Sequence, residues 1–296
     1  MLTEPFNGYG VMVVNNPRDL KKVIRLDEKY RRLKRIIAGY DRVWVAFSGG
    51  LDSTFLLALT HIILGDRVTA VTAKTPFQPR RDSEAALEKA RALGVKQIWF
   101  ELDLLNDIKV QLNSRDRCYH CKKSIFSTIR REASRKGITH ILDGSHLDDL
   151  NEYRPGRKAL QEIGILSPLR EAGLTKPEIR LLARQMELPG WSEPAQSCLA
   201  TRFPYGEPIS RAKLNQVEKA EEILRKSGFR QFRVRSHDNL ARIEVEPEDV
   251  GGFFQPGFRD YISRSLLKLG FTYVTLDLQG FRSGSMDLFK QENRNG

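Results

Sequence analysis

Val43-Trp44-Val45-Ala46-Phe47-Ser48-Gly49-Gly50-Leu51-Asp52-Ser53-Thr54 is the stretch from which the fold can be read. Its first five residues are short, β-prone and apolar on both faces, the pattern of a central parallel strand. Gly49 and Gly50 remove the Cβ atoms that would hold a ligand away from the backbone. Ser48 and Ser53 offer hydroxyls, and the open N–H groups of a helix predicted over Ser53–Leu64 favour an anion. An ordinary strand–turn–helix needs glycine only for its turn. Ser-Gly-Gly-x-Asp-Ser directly after such a strand is a much narrower pattern, and it points to phosphate.

Ser48-Gly49-Gly50-Leu51-Asp52-Ser53 resembles the pyrophosphate loop of the N-type ATP pyrophosphatases. The Gly-x-x-x-x-Gly-Lys-Ser/Thr spacing of a Walker-type loop is absent. The resemblance implies that Ser48, Gly49, Gly50, Asp52 and Ser53 bind ATP while an acceptor oxygen is adenylated. It also implies that Asp52 helps hold Mg²⁺ on the phosphates, in keeping with a hard cation's preference for oxygen.

The chain has 296 residues, long enough for two domains, with 40% hydrophobic and 29% charged residues. No run reaches the apolar length of a membrane helix, and Phe55–Leu64 is too short. Met1-Leu2-Thr3-Glu4-Pro5 lacks the basic and apolar regions of a signal peptide, so a cytoplasmic enzyme is expected. A net charge of +12 favours anionic partners, either nucleic acid or a multiply anionic small molecule together with ATP. Abundant Lys, Arg and Glu also suit a thermophile. Three cysteines in such a chain argue against a disulfide framework.

Pro17–Tyr40 reads as an amphipathic helix through Leu20, Val23, Ile24, Leu33, Ile36 and Ile37. Strands are predicted at Arg67–Ala73, Lys96–Leu102 and His140–Asp143, with helices at Arg81–Leu93 and around Cys121–Lys136. This alternation implies an α/β fold, a doubly wound parallel sheet with its ligands at the carboxyl ends of the strands. Ser48, Lys74, Asp103 and Asp143-Gly144-Ser145 would share that rim. Lys74 is a second ATP contact or a solvated loop lysine. Asp148 and Asp149, in the acidic stretch 143–156, approach Mg²⁺ or substrate, or are simply solvated. Thr175-Lys-Pro-Glu178 is a capping box opening a helix through Met186.

The ATP domain is expected over 1–190 and a Pro- and Gly-punctuated linker with Cys198 over 191–210. A smaller α+β domain for substrate and oligomerisation would fill 211–296. Within it, Arg211–Ser227 and Phe258–Leu269 read as helices. Phe232–Arg235, Ala241–Glu246 and Tyr273–Leu278 read as strands, and Lys290–Gly296 as a polar tail.

Cys118-Tyr-His-Cys121 and Cys198 account for every cysteine, and all three fall in loop-like segments beside predicted helices. Thiolates close in space suit zinc, with His120 or His146 as a fourth ligand, or an iron–sulfur cluster. Unrelated thiols, two at the surface and one buried, are the plain alternative.

Further motifs narrow the resemblance. Arg117-Cys-Tyr-His-Cys-Lys122, Asp143-Gly-Ser145 with Tyr153-Arg-Pro-Gly156, and Ser167-Pro-Leu169 with Glu171-Ala-Gly-Leu-Thr175 are similar to the LarE family along most of the chain. So are Cys198-Leu-Ala-Thr-Arg-Phe-Pro-Tyr-Gly206, Arg233-Val-Arg235 and the ending Val274–Ser285. LarE proteins supply the sulfur of the nickel-pincer nucleotide by adenylating and thiolating a pyridinium biscarboxylate mononucleotide. In one form of the family a cysteine is sacrificed; it would fall at Cys198 or at its neighbour Ser197. In the other form three cysteines hold a [4Fe–4S] cluster, and Cys118, Cys121 and Cys198 match that form. The resemblance places Arg202, Arg233 and Arg235 on the substrate phosphate and Glu221 and Glu244 near the substrate site; an exposed helix glutamate, a strand-edge arginine or a salt bridge is the plain alternative for each. It also implies a homo-oligomer, with hexamers among the forms known. The rivals are a cluster-dependent tRNA thiolase, which the +12 charge suits, and a nucleotide-binding regulatory protein that has no use for three cysteines.

Overall fold

In the strand Val43–Ala46, every second side chain must be covered from one face and the others from the opposite face. A computed structural model describes residues 17–150, 155–194 and 197–286. Its two compact units comprise Met1–Lys74, Arg80–Leu102 and Cys118–Ala195 in the first, and Thr75–Pro79, Asp103–Arg117 and Gln196–Gly296 in the second.

The first unit runs α1 (Pro17–Ala38), β1 (Val43–Ala46), α2 (Leu51–Leu64), β2 (Val68–Lys74), α3 (Arg80–Ala92) and β3 (Gln97–Glu101). Between its segments the second unit contributes the short α4 (Ile108–Gln111). The first unit then continues with α5 (Arg117–Arg135), β4 (His140–Leu142), α6 (Gly156–Ile163), α7 (Pro168–Glu171) and α8 (Lys176–Gln185). The four strands form one parallel sheet in the order β3-β2-β1-β4, with Val43 opposite both Val68 and His140. Val43, Val45 and Ala70 pack with Leu33, Ile37, Phe55, Leu56, Ala86 and Leu182 of α1, α2, α3 and α8. Trp44 and Val71 face the other way, onto Phe126 and Ile129 of α5 and Leu160 of α6. Helices therefore cover both faces, as a doubly wound sheet requires. Val43 and Val45 are fully buried, each worth roughly 1.5–3 kcal/mol of hydrophobic stabilisation.

Several boundaries move. α2 begins at Leu51, two residues before the expected Ser53. α5 begins at Arg117, so Cys118 and Cys121 lie inside a helix and not in a loop beside one. The turn in which Arg117 N–H donates to the Ser114 carbonyl at 2.9 Å starts the helix early. Ile24 is exposed, while Leu33 and Ile37 of the same helix are fully buried. The capping box forms: Thr175 N–H donates to Glu178 Oε2 at 2.8 Å, and Lys29 adds an ion pair at 2.7 Å.

The second unit contains α9 (Arg211–Lys226), β5 (Phe232–His237), β6 (Leu240–Val245), α10 (Pro256–Lys268) and β7 (Tyr273–Leu276). Its sheet order is β5-β6-β7, with an antiparallel and then a parallel pair. Two segments early in the sequence belong to it. Phe77 accepts from Leu199 N–H at 2.9 Å, and Gln111 from Ile209 N–H at 2.8 Å. Asn113, at φ 53°, donates from Nδ2 to the Pro204 carbonyl at 2.6 Å. Tyr153, Arg154 and the tail Lys290–Gly296, singled out in the sequence, lie outside the described residues.

Candidate functional site

The expected phosphate loop joins β1 to α2. Phe47 N–H donates to Val71 O at 2.8 Å and Thr72 Oγ1 donates to Phe47 O at 2.6 Å, carrying the strand geometry to the edge of the loop. Ser53 Oγ donates to Gly50 O at 3.0 Å and lies 3.2 Å from Ser48 Oγ. The two glycines serve different ends. Gly49 has φ 77°, and a Cβ there would come within 2.8 Å of Ala86 Cβ, so the fold itself requires glycine. Gly50 has an ordinary φ of −74°, and its Cβ would meet only Ser48 Oγ at 3.5 Å. None of the described residues beyond its chain neighbours comes closer to that position, so the backbone stays open to a ligand there.

Around the loop the first unit assembles charge. Gly144, after β4, packs so closely on α2 that a Cβ would lie 3.0 Å from Ser53 N. Asp52 pairs through Oδ2 with Lys176, while its Oδ1 is buried without a hydrogen-bond partner among the described residues. A buried carboxylate oxygen without a donor can meet a hard cation, so Asp52 fits Mg²⁺. Lys176 was missed in the sequence because its motif explains itself as a helix start. Its backbone N–H also donates to Asp148 Oδ2 at 2.7 Å. Asp149 Oδ2 accepts from His146 N–H at 2.9 Å, so each of the two acidic residues has one oxygen engaged in local structure. Asp143 is buried and accepts from Ser145 and Ser167. Lys74 lies over the Trp99 ring at 4.7 Å and near Glu101 at 3.9 Å, engaged along its own sheet. Asp103 belongs to the second unit, where it pairs with Arg211 at 3.0 Å.

In the second unit the structure brings together the three arginines and two glutamates singled out in the sequence, and pairs two of the arginines with the glutamates as salt bridges. Arg202 is buried and forked onto Glu221, Nε–Oε1 2.7 Å and Nη2–Oε2 3.0 Å. Its Nη1 reaches Ser197 Oγ at 2.7 Å and Thr201 Oγ1 at 2.8 Å. Glu221 also accepts from Val234 N–H at 3.1 Å on the edge strand. Arg235 is forked onto Glu244 and donates to Thr201 O at 3.0 Å. Arg233 stands opposite Glu244 in the register, its guanidinium 5.0 Å from the Phe281 ring. Burial first, and then the neighbouring Arg202 charge, lower its pKa to about 10. Arg242, not singled out in the sequence, pairs with Glu244 at 3.0 Å. Its signal was the antiparallel register that sets it opposite Arg235. Glu244 is wholly buried and Glu221 largely so, and Arg242 also lies 3.7 Å from Asp277, so four arginines stand among three carboxylates, a balance of charge that suits an anion.

Cys118 and Cys121, half-exposed and three residues apart on α5, fall on one face of that helix. Tyr119 between them is tied to α6 by a hydrogen bond to Glu162 at 2.8 Å, and its ring meets that of His120 edge-on. Cys198 is exposed, before a short 3-10 turn over Leu199–Arg202 in the second unit. Among the described residues, no three His, Cys, Asp or Glu side chains are grouped as a metal site. The donor chemistry of two thiols on one helical face fits a soft metal centre. No helix among the described residues is long and apolar enough to cross a membrane.

No family model matches the chain. The pyridinium-3,5-bisthiocarboxylic acid mononucleotide synthase of Lactiplantibacillus plantarum is 40% identical over 263 residues, 88% of this chain and 95% of that protein. An uncharacterized protein of Synechocystis is 38% identical over 262 residues, covering 98% of its length. The glutamine-hydrolyzing GMP synthase of Thermosipho melanesiensis is 24% identical over 229 residues, 69% of this chain and 43% of that one.

Proposed function

The chain belongs to the LarE family, that of the pyridinium-3,5-bisthiocarboxylic acid mononucleotide synthase, and from that premise we propose that it is an ATP-dependent sulfur transferase of nickel-pincer nucleotide synthesis. Its substrate on this reading is pyridinium-3,5-biscarboxylic acid mononucleotide. The observation that carries the reading is 40% identity running almost end to end with an enzyme named for the thiolated product.

The chemistry begins from a poor electrophile. A carboxylate would have to expel oxide, so its oxygen first attacks the α-phosphorus of ATP and pyrophosphate leaves. Sulfide then adds to the acyl-adenylate carbonyl; the C–S bond forms, the C–O bond breaks and AMP departs with its electron pair. Ser48, Gly49, Gly50 and Ser53 hold the pyrophosphate by their N–H and hydroxyl groups. Asp52 would hold Mg²⁺, which would neutralise phosphate charge, and Lys176 adds positive charge beside it. Charge placed in advance where the transition state develops it is the main source of rate in such transfers. Arg202, Arg233 and Arg235, set by Glu221 and Glu244, take the phosphate of the mononucleotide. On this reading 1–190 takes ATP, and 211–296, with Arg202 ahead of it, takes the substrate and would also carry homo-oligomer contacts.

For the sulfur, Cys118, Cys121 and Cys198 would hold a [4Fe–4S] cluster. Bound by three thiolates, such a cluster offers one iron to an exogenous sulfide. The support is the donor set: soft thiolates, two on one helical face. A cytoplasmic setting, where thiols stay reduced, suits the same chemistry.

The test is direct. Protein purified without oxygen, supplied with ATP, Mg²⁺, sulfide and the biscarboxylate mononucleotide, should give AMP and a product in which oxygen is replaced by sulfur. Thiolation of tRNA alone would replace this reading with the tRNA thiolase. ATP binding with neither product would leave a regulatory protein.

A further inference from the structure

Lys89 of α3 is buried, a cation enclosed beneath the phosphate loop. Its Nζ donates to Gly49 O at 3.0 Å and to Glu193 Oε2 at 2.7 Å. Gly190, at φ 82°, closes over it so tightly that a Cβ there would lie 2.5 Å from Nζ. One turn earlier on the same helix face, Ala86 supplies the surface against which Gly49 is moulded. No motif in the sequence marks either residue.

The consequence follows from the planarity of the peptide. In a trans peptide the C=O of one residue and the N–H of the next point in opposite directions. A fixed Gly49 carbonyl therefore fixes the Gly50 N–H, aimed away from Lys89 and into the loop. There it meets Ser48 Oγ at 3.4 Å, the long limit of a hydrogen bond, and is readily exchanged for a stronger acceptor. Gly50 is also the residue whose Cβ space stands open.

We propose that Lys89 is a positioning residue of the phosphate loop: anchored by Glu193, it holds the Gly49 carbonyl and so presents the Gly50 N–H to an oxygen of the ATP pyrophosphate. The assignment rests on the reading of this loop as the ATP site. Lys89 itself does not touch the nucleotide. Its contribution is to remove the peptide flip that would turn a donor into a carbonyl facing the phosphate.

The experiment compares Lys89→Met with the unaltered protein for binding of ATP, of inorganic pyrophosphate and of adenosine, all with Mg²⁺. Lys89→Met should weaken ATP and pyrophosphate by about tenfold or more, the effect of losing one hydrogen bond to a charged group, and leave adenosine unchanged. Lys89→Arg should recover part of the loss. Equal weakening of all three ligands, or no change in any, overturns the proposal. If the unaltered protein fails to bind pyrophosphate in competition with ATP, the loop reading itself falls, a result distinct from either. Should Lys89→Met not fold, Glu193→Gln carries the test. It keeps the ammonium, loosens its anchor and should weaken ATP about threefold with adenosine untouched; ATP binding unchanged in that variant also overturns the proposal.

Discussion

Arg235 and Glu244 are joined across the β5–β6 pair by a fork in which Nη2 and Nε lie 2.8 and 3.1 Å from one carboxylate oxygen. Glu244 is entirely buried, and its other oxygen accepts from Arg242 at 3.0 Å and from Ser285 at 2.6 Å. Removing its charge strands the buried Arg235 guanidinium away from water and leaves Arg242, which is part-exposed, with Asp277 alone. Glu244→Gln should therefore cost about 3–5 kcal/mol of folding stability, measured as a lowered midpoint in urea. A variant within about 1 kcal/mol of the parent would show that the network relaxes without cost.

Arg233 should behave in the opposite sense. Its proton is held less tightly in the folded chain than in the unfolded one, because burial and Arg202 oppose its charge. At neutral pH that charge works against folding, and the opposition fades only as pH rises past about 10. Arg233→Met should leave thermal stability unchanged or raise it, while binding of a mononucleotide, measured by calorimetry, weakens about tenfold through loss of a phosphate contact. A destabilised variant with intact binding would make Arg233 a structural residue.

Neighbouring glycines should separate fold from function. Gly49→Val forces a β-branched residue to φ 77° against Ala86 and should lower stability by several kcal/mol. A Cβ at Gly50 meets no described atom beyond its chain neighbours nearer than 3.5 Å, so Gly50→Val should fold with a melting temperature close to the parent's, yet form no AMP. Full adenylation by Gly50→Val would remove the loop from the ATP site.

The cysteines predict a metal stoichiometry. Protein kept from oxygen should carry about four irons per chain, one cubane cluster. Cys118→Ala, Cys121→Ala and Cys198→Ala should each lose most of it. One tightly held zinc without visible absorption would establish a structural site instead. Loss of the mass of H₂S from Cys198 on a single turnover would establish the sacrificial form.

Much of the first unit was legible because its signals are local. Apolar runs such as Val43–Phe47 and the Thr175–Glu178 cap specify strands and a helix start without tertiary information. The loop glycines were readable as a pair, but that Gly49 is demanded by Ala86 and Gly50 by none of the described residues needed the packing of α3. Lys89 escaped notice because a lysine within a charged helix looks solvated until its neighbours are known, and Lys176 because the capping motif around it already has a local explanation. The arginines and glutamates of the second unit were found through a family resemblance. Their pairing, Arg202 with Glu221 and Arg235 with Glu244, depends on a strand register that alternation alone does not fix.

The chain passes between its two units five times, after Lys74, Pro79, Leu102, Arg117 and Ala195. No single cut can release either unit whole. A fragment ending near 195 would keep Phe77, Gln111 and Asn113 but lose Leu199, Pro204 and Ile209, the partners of their backbone and amide groups. The growing chain must likewise hold residues 103–117 in waiting until the sequence beyond 196 has been made. A single recombination crossover would likewise split at least one of the units, so the two are inherited as interleaved parts of one piece.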